Sequence, residues 1–326
     1  MALSVSVTVE RWPVTGYFII SRGAKTHVDV VRCEVSDGSH TGMAEATPIY
    51  YEGESAEDCA EEILQFSARY PELDHAALLQ NMPRGAARNA LDCALWDLER
   101  HQKNKSLAQL TGLPEPVPLI SAFTISLGQP EIMEAQARQA AFNGQKLLKL
   151  KLSGQDDHER VAAVHRGAPA ARLIVDANES WNDLDVAAEA ARLAQYSVEM
   201  IEQPVSAGQD HLLSGVRSPV PLCADESCHT SADLERIAPF YDAVNIKLDK
   251  AGGLTEAMAT AHAAQAMGMK IMVGCMLSTS LGIRPAFALA QLAHWVDLDG
   301  PLLLAKDRVD AFQFAFGRIL PADRAS

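Results

Sequence analysis

Three acids and three lysines stand out by where they sit. Asp176, Glu202 and Asp225 close the short apolar runs RLIVD, VEMIE and PLCAD, and Lys151 and Lys247 close KLLKLK and AVNIK. Three carboxylates gathered in a low dielectric repel one another, so a multivalent cation is the simplest device that keeps all of them ionised. Singly, each acid reads equally well as a helix cap or a surface charge; all three on successive runs argue for a shared task. No His or Cys occupies a matching position, and an all-oxygen donor set favours a hard ion, Mg2+ first and Mn2+ as the alternative. Lys149 and Lys151 are two residues apart and share one face of a strand. A buried lysine whose pKa is lowered by a like charge and a metal can serve as a general base, whereas Lys149 is expected to act electrostatically. The chemistry indicated is metal-assisted acid/base catalysis.

The spacing says what must position these groups. From Lys151 through Asp176, Glu202, Asp225, Lys247 and the uncharged pair Gly274-Cys275 to Asp297, the steps are 25, 26, 23, 22, 27 and 23 residues. One strand, one helix and two short loops consume about that length, so the chain reads as repeated βα units. Eight strand-like runs are expected, over 118–126, 146–152, 172–178, 198–204, 221–227, 243–249, 270–276 and 294–300, separated by amphipathic stretches such as DHERVAAVHRGA and LTEAMATAHAAQAMG. Closed into a parallel barrel, they bring the polar ends to one mouth. Lys247, on the sixth strand, then faces Lys151, on the second, across the substrate. Before the barrel, alternating runs over 3–10, 15–21, 26–35 and 40–46 predict an antiparallel sheet, followed by helices over 55–70 and 85–102. The fold class expected is α/β, a modified (β/α) barrel over 118–304 with an α+β capping domain over 1–117. The tail from about 305 to 326 is expected to pack on that cap.

Composition narrows the function further. The 326 residues are 48% hydrophobic and 21% charged, ordinary for a soluble globular protein, and no apolar run reaches the length of a membrane span. A net charge of −14 disfavours nucleic acid and anionic bilayers as partners. The six cysteines form no CxxC pair and are expected to be reduced, and the N-terminus lacks the pattern of a secretory signal; a cytoplasmic location follows. A homo-oligomer is left open.

KLLKLKL, IVDANESW, EQP, CADES, VNIKLDKAGGLTEA, GCMLSTSLG and DLDGP, with ISRGAK and PRGAARNALDCALWDL earlier, closely resemble the muconate-lactonising subgroup of the enolase superfamily, and within it the dipeptide epimerases that act on L-Ala-D/L-Glu. The resemblance covers essentially the whole chain. It implies that Asp176, Glu202 and Asp225 hold the metal, that Lys151 and Lys247 are the two acid/base catalysts with Lys149 assisting, and that a metal-stabilised enediolate is protonated on either face, inverting the carbon. It also implies a peptidoglycan-derived dipeptide as substrate, with Asp297 and Asp299 binding its α-ammonium group, Arg22 pairing with the glutamate side chain, and Thr124, Cys275 and Met276 lining the pocket. A cycloisomerase or o-succinylbenzoate synthase of the same subgroup would keep the metal and the lysines without needing the paired aspartates.

Overall fold

The computed structural model describes residues 3–20 and 23–321. Three antiparallel strands open the chain in the order β1 (Ser4–Ile20), β2 (Gly23–Ser36) and β3 (Thr41–Ala46). The two runs expected over 3–10 and 15–21 are one long strand. Pro13 and Gly16 do not end it, because the pairing with β2 absorbs them as a register shift between Pro13 and Phe18. Four helices follow: α1 (Ala56–Arg69), α2 (His75–Asn81), α3 (Ala86–Lys103) and α4 (Leu107–Thr111). Their starts are written locally, Ser55 accepting from Asp58 N, Asp74 from Ala77 N, and Ser106 forming a capping box with Gln109. α3 lays Ala90, Leu91, Ala94 and Leu98 against Val31, Cys33, Val35 and Ala44 of the sheet. Contact is close enough that a Cβ on Gly42 would stand 2.1 Å from Leu98 N.

After the two-residue strand β4 (Leu119–Ile120) come the eight parallel strands of the barrel: β5 (Ala122–Ile125), β6 (Leu147–Lys151), β7 (Arg172–Asp176), β8 (Val198–Glu202), β9 (Leu222–Ala224), β10 (Ala243–Ile246), β11 (Lys270–Gly274) and β12 (Trp295–Asp297). Each falls inside its expected window. Helices α5 (Pro130–Phe142), α6 (Asp157–Gly167), α7 (Val186–Ala194), α8 (Leu234–Ile237), α9 (Leu248–Ala251), α10 (Leu254–Ala266), α11 (Ser280–Leu289) and α12 (Gly300–Leu303) fill the connections, save that β8 to β9 carries only a 3-10 turn over Asp210–Leu213. Backbone ladders join every neighbouring pair from β5 to β12, and the last seam is closed by side chains: Leu298 N donates to Ser121 Oγ (3.0 Å) and Thr124 N to Asp299 Oδ2 (2.6 Å).

The barrel interior is layered. Ala122, Leu147, Ile174, Met200, Cys223, Ala243, Met272 and Trp295, one from each strand, form a buried apolar floor. Side chains two residues on point the same way. The next inward layer is therefore Thr124, Lys149, Asp176, Glu202, Asp225, Asn245, Gly274 and Asp297, and the layer above it contains Lys151, Lys247, Met276 and Asp299. The polar mouth is what the strand-end charges led us to expect; the apolar floor beneath it is added by the structure.

The first part of the chain is clamped to the barrel through α3 and β3. Arg88 donates to Ala251 O and Gly252 O, Asp92 accepts from Thr255 N and Thr255 Oγ1, and Asp249 accepts from Thr47 N and Asn89 Nδ2. The chain after α12 divides its contacts. Arg308 pairs with Glu45 and Glu10 of the first sheet, whereas β13 (Phe314–Ala315) pairs with β14 (Arg318–Ile319) and β14 with β4 at the foot of the barrel.

Candidate active site

Register sets the first three groups side by side on adjacent strands: Lys151 pairs with Asp176 on the neighbouring strand, and Asp176 with Glu202 on the next. Lys151 Nζ donates to Asp176 Oδ2 at 2.6 Å, and across the mouth Lys247 Nζ donates to Asp225 Oδ2 at 2.7 Å. Between them lies Lys149, 2% exposed, its Nζ 2.7 Å from Glu202 Oε2, 2.8 Å from Asp297 Oδ2 and 3.3 Å from Asp176 Oδ2. Asp176 and Glu202 are wholly buried.

The loops beyond the strands hold these acids in unusual backbone. Asn178, Glu179 and Gln203 follow the ends of β7 and β8 with φ of 44°, 66° and 36°. The turn lets Asn178 N donate to Asp176 Oδ1 (2.9 Å), and Gln203 Oε1 accepts from both Asp225 N and Ser227 N. Such strain persists only where surroundings enforce it, and it concentrates at functional sites.

Burial and like charge drive the titration of the cluster. Glu202 is pushed up to about 7 by burial and by Asp176. Burial also pushes Asp176 upward, but Lys151 and Lys149 outweigh it and hold that carboxyl at about 2. Asp225 is carried well below the usual range against its burial by Lys247 and Lys250. Burial pulls Lys149 and Lys247 down, yet Asp297 and Glu202 acting on the first, and Asp225 on the second, raise both well above the usual lysine value. Without an ion among them, the carboxylates set the direction for both lysines.

The three acids suit a hard cation in chemistry and in what their oxygens lack. Glu202 Oε2 and Asp225 Oδ1 are buried and accept no hydrogen bond, although each lies in ion-pair range of a lysine. Among the described residues no His, Cys, Asp and Glu side chains form a ready-made ion cage, because ammonium groups stand among these carboxylates. The residues fit a divalent ion by donor type, count and orphaned oxygens.

Around this centre lie most of the remaining residues singled out from the sequence. Asp299, pushed up to about 7 by burial and by Asp297, accepts from Thr124 N. Asp297 uses Oδ2 for Lys149 and leaves Oδ1 buried without a hydrogen bond. Cys275 and Met276 are half-buried just past β11. Lys25, three residues after Arg22, lies 3.7 Å above the Tyr50 ring. Arg22 lies outside the described residues. Two neighbours escaped the sequence reading. Lys250, fully buried, donates to the carbonyls of Asp225, Cys228 and Asn245 behind the mouth, and Asn245 donates to Glu202 Oε1 at 2.7 Å. Position two places along from the floor residue Ala243 was the signal that could have found Asn245.

Residues 132–323 match the enolase C-terminal domain-like family, and residues 2–112 match the mandelate racemase / muconate lactonizing enzyme N-terminal domain. The chain belongs to the enolase superfamily. Superfamily relatives bear this out along the full length. An L-Ala-D/L-Glu epimerase of Escherichia coli is 43% identical over 97% of this chain and 99% of its own. An N-acetyl-D-glutamate racemase of Pseudoalteromonas is 42% identical over 88% and 91%. A solved enolase family member from Agrobacterium tumefaciens, described as homologous to dipeptide epimerases and holding sodium and L-Ala-L-Glu, superposes with a TM-score of 0.94 at 46% identity over 99% of this chain and 98% of its own. This superfamily member is accordingly an isomerase, as epimerases and racemases are.

Proposed function

We propose that this isomerase is an L-Ala-D/L-Glu epimerase that inverts the glutamate α-carbon of a peptidoglycan-derived dipeptide in the cytoplasm. The observation that carries the reading is the pair Lys151 and Lys247. They occupy one inward layer four strands apart, each tied to a different acid of the cluster. Asp176, Glu202 and Asp225 would hold a divalent ion, Mg2+ by their oxygen chemistry, with Mn2+ as the alternative; solved dipeptide epimerases of the family contain Mg with a dipeptide. When bound, that ion supplies positive charge beside a substrate carboxylate that gains a second negative charge as the α-proton leaves. One lysine takes the proton from one face and the other returns a proton to the opposite face. Lys149, pinned among Glu202, Asp297 and Asp176, stays charged and contributes its field. Asp297 Oδ1, buried and free of hydrogen bonds, together with Asp299 Oδ atoms at the same rim, suits an α-ammonium group. Thr124, Cys275 and Met276 line the rim, and Arg22 is assigned to the glutamate side chain from its sequence context. The 1–117 segment caps the mouth and 118–304 carries the chemistry.

A second reading, N-acylglutamate racemisation, is favoured by the Pseudoalteromonas relative. An N-acyl group has no ammonium, so the two readings part at Asp297. Exchange of the α-hydrogen in heavy water should be measured with L-Ala-L-Glu, L-Ala-D-Glu and N-acetyl-D-glutamate. Dipeptide exchange lost on Asp297→Asn supports the proposal; exchange with N-acetylglutamate alone overturns it. Lys151→Ala and Lys247→Ala should each lower epimerisation by about 10²–10⁴-fold, and normal turnover by both variants would exclude the two-base scheme.

A further inference from the structure

The layer that carries the three acids has two uncharged members beside Thr124, Asn245 on β10 and Gly274 on β11, and each explains the other. Asn245 is wholly buried, and its Nδ2 reaches across β9 to donate to Glu202 Oε1 at 2.7 Å. A carboxylate only accepts, so the amide must turn its NH2 inward and leave Oδ1 on the far side, where it has no hydrogen-bond donor. Gly274 stands against that far side. A Cβ there would meet Asn245 Oδ1 at 2.7 Å, Nδ2 at 2.9 Å and Cγ at 3.2 Å. Gly274 lies outside the left-handed region, so its backbone does not call for glycine. Glycine weakens a strand interior, and its presence marks a close approach. What approaches is the asparagine.

We propose that Asn245 is a positioning residue that fixes the Glu202 carboxylate for cation binding, and that Gly274 is glycine to give Asn245 room. This rests on the reading that Glu202 helps to hold a divalent ion. With Oε1 held by the amide, Oε2 is the oxygen turned toward the cluster that would hold the ion; it accepts no hydrogen bond and is shared with the Lys149 ammonium at 2.7 Å. Partners that orient a ligand in this way govern affinity about 10–100-fold without touching the metal.

The test is a double-mutant cycle on the full chain, with Mg2+ alone titrated calorimetrically into wild type, Asn245→Ala, Gly274→Ala and the double variant, and urea unfolding of each without added metal. Asn245→Ala should weaken Mg2+ binding about 10–100-fold. Gly274→Ala should do likewise by pushing the amide aside, and the double variant should bind no worse than Asn245→Ala, since the atoms that clash are gone. If Gly274→Ala does not fold, the double variant should, and the comparison of Asn245→Ala with wild type carries the result. Wild-type affinity in Asn245→Ala or Gly274→Ala, or losses that add in the double variant, overturns this inference alone. A wild-type protein that takes up no divalent ion overturns the cation reading and this inference together.

Discussion

Replacing Asp249 by asparagine should stabilise the protein at alkaline pH, and by less than half as much at pH 5. Asp249 is 7% exposed at the joint between the barrel and the first part of the chain, where its Oδ1 accepts from Thr47 N at 2.9 Å and Asn89 Nδ2 at 2.8 Å. Burial raises its carboxyl from 3.8 to about 7, the two hydrogen bonds opposing and nearby Glu54 and Glu45 adding to the rise. Between those values the native state holds a proton that the unfolded chain has lost. Stability from this group is therefore complete below about 3.8, declines as pH rises through about 7, and stays lower above it. A gap of about three pH units at about 1.36 kcal/mol each bounds the loss at about 4 kcal/mol. Asparagine keeps an oxygen for both donors and carries no charge. Urea unfolding of wild type and Asp249→Asn from pH 5 to 8.5 should show a difference in favour of the variant that grows from about 1.6 kcal/mol, since pH 5 already lies above the unfolded value of 3.8, toward about 4. The comparison cancels distant groups that also titrate near neutrality. A difference constant across that range would refute the reasoning.

Lys250→Met should lower unfolding free energy by about 3–5 kcal/mol, because it strips a fully buried cation from Asp225 and three carbonyls. A loss under about 1 kcal/mol in urea would show that the ammonium is dispensable. Gly42→Ala should cost about 1–3 kcal/mol, since its Cβ would fall 2.1 Å from backbone nitrogen of α3 that cannot swing away; an unchanged melting temperature would mean that the sheet and α3 separate freely.

The eight barrel strands were legible because strands covered on both faces are continuous apolar runs, and a charge at the end of such a run announces the mouth. Strand phase then separates residues by storey: Lys149 and Lys151 had to share the interior. Cross-barrel partners were not legible. The Lys149–Asp297 pair spans 148 residues of chain, and nothing local at either end names the other. Asn245 was passed over, and Gly274 entered only as an uncharged step in the spacing, because a neutral amide and a glycine carry no charge to notice and their meaning is a distance between strands. Lys250 reads as one more charge in KLDKAGG, yet its helical turn aims it away from the mouth into the protein. Nor was it legible that Lys149 has three acids within ion-pair range, two of them far along the chain from it or on non-neighbouring strands.

The barrel's last seam makes it a split ring, with ladders around the circumference and a clasp of two side chains where β12 meets β5. Asp299 is half of that clasp and also stands at the rim where recognition is assigned. An incoming cationic group and the Thr124 amide would draw on the same carboxylate, so the fit of the ligand and the tension of the ring are set at one residue.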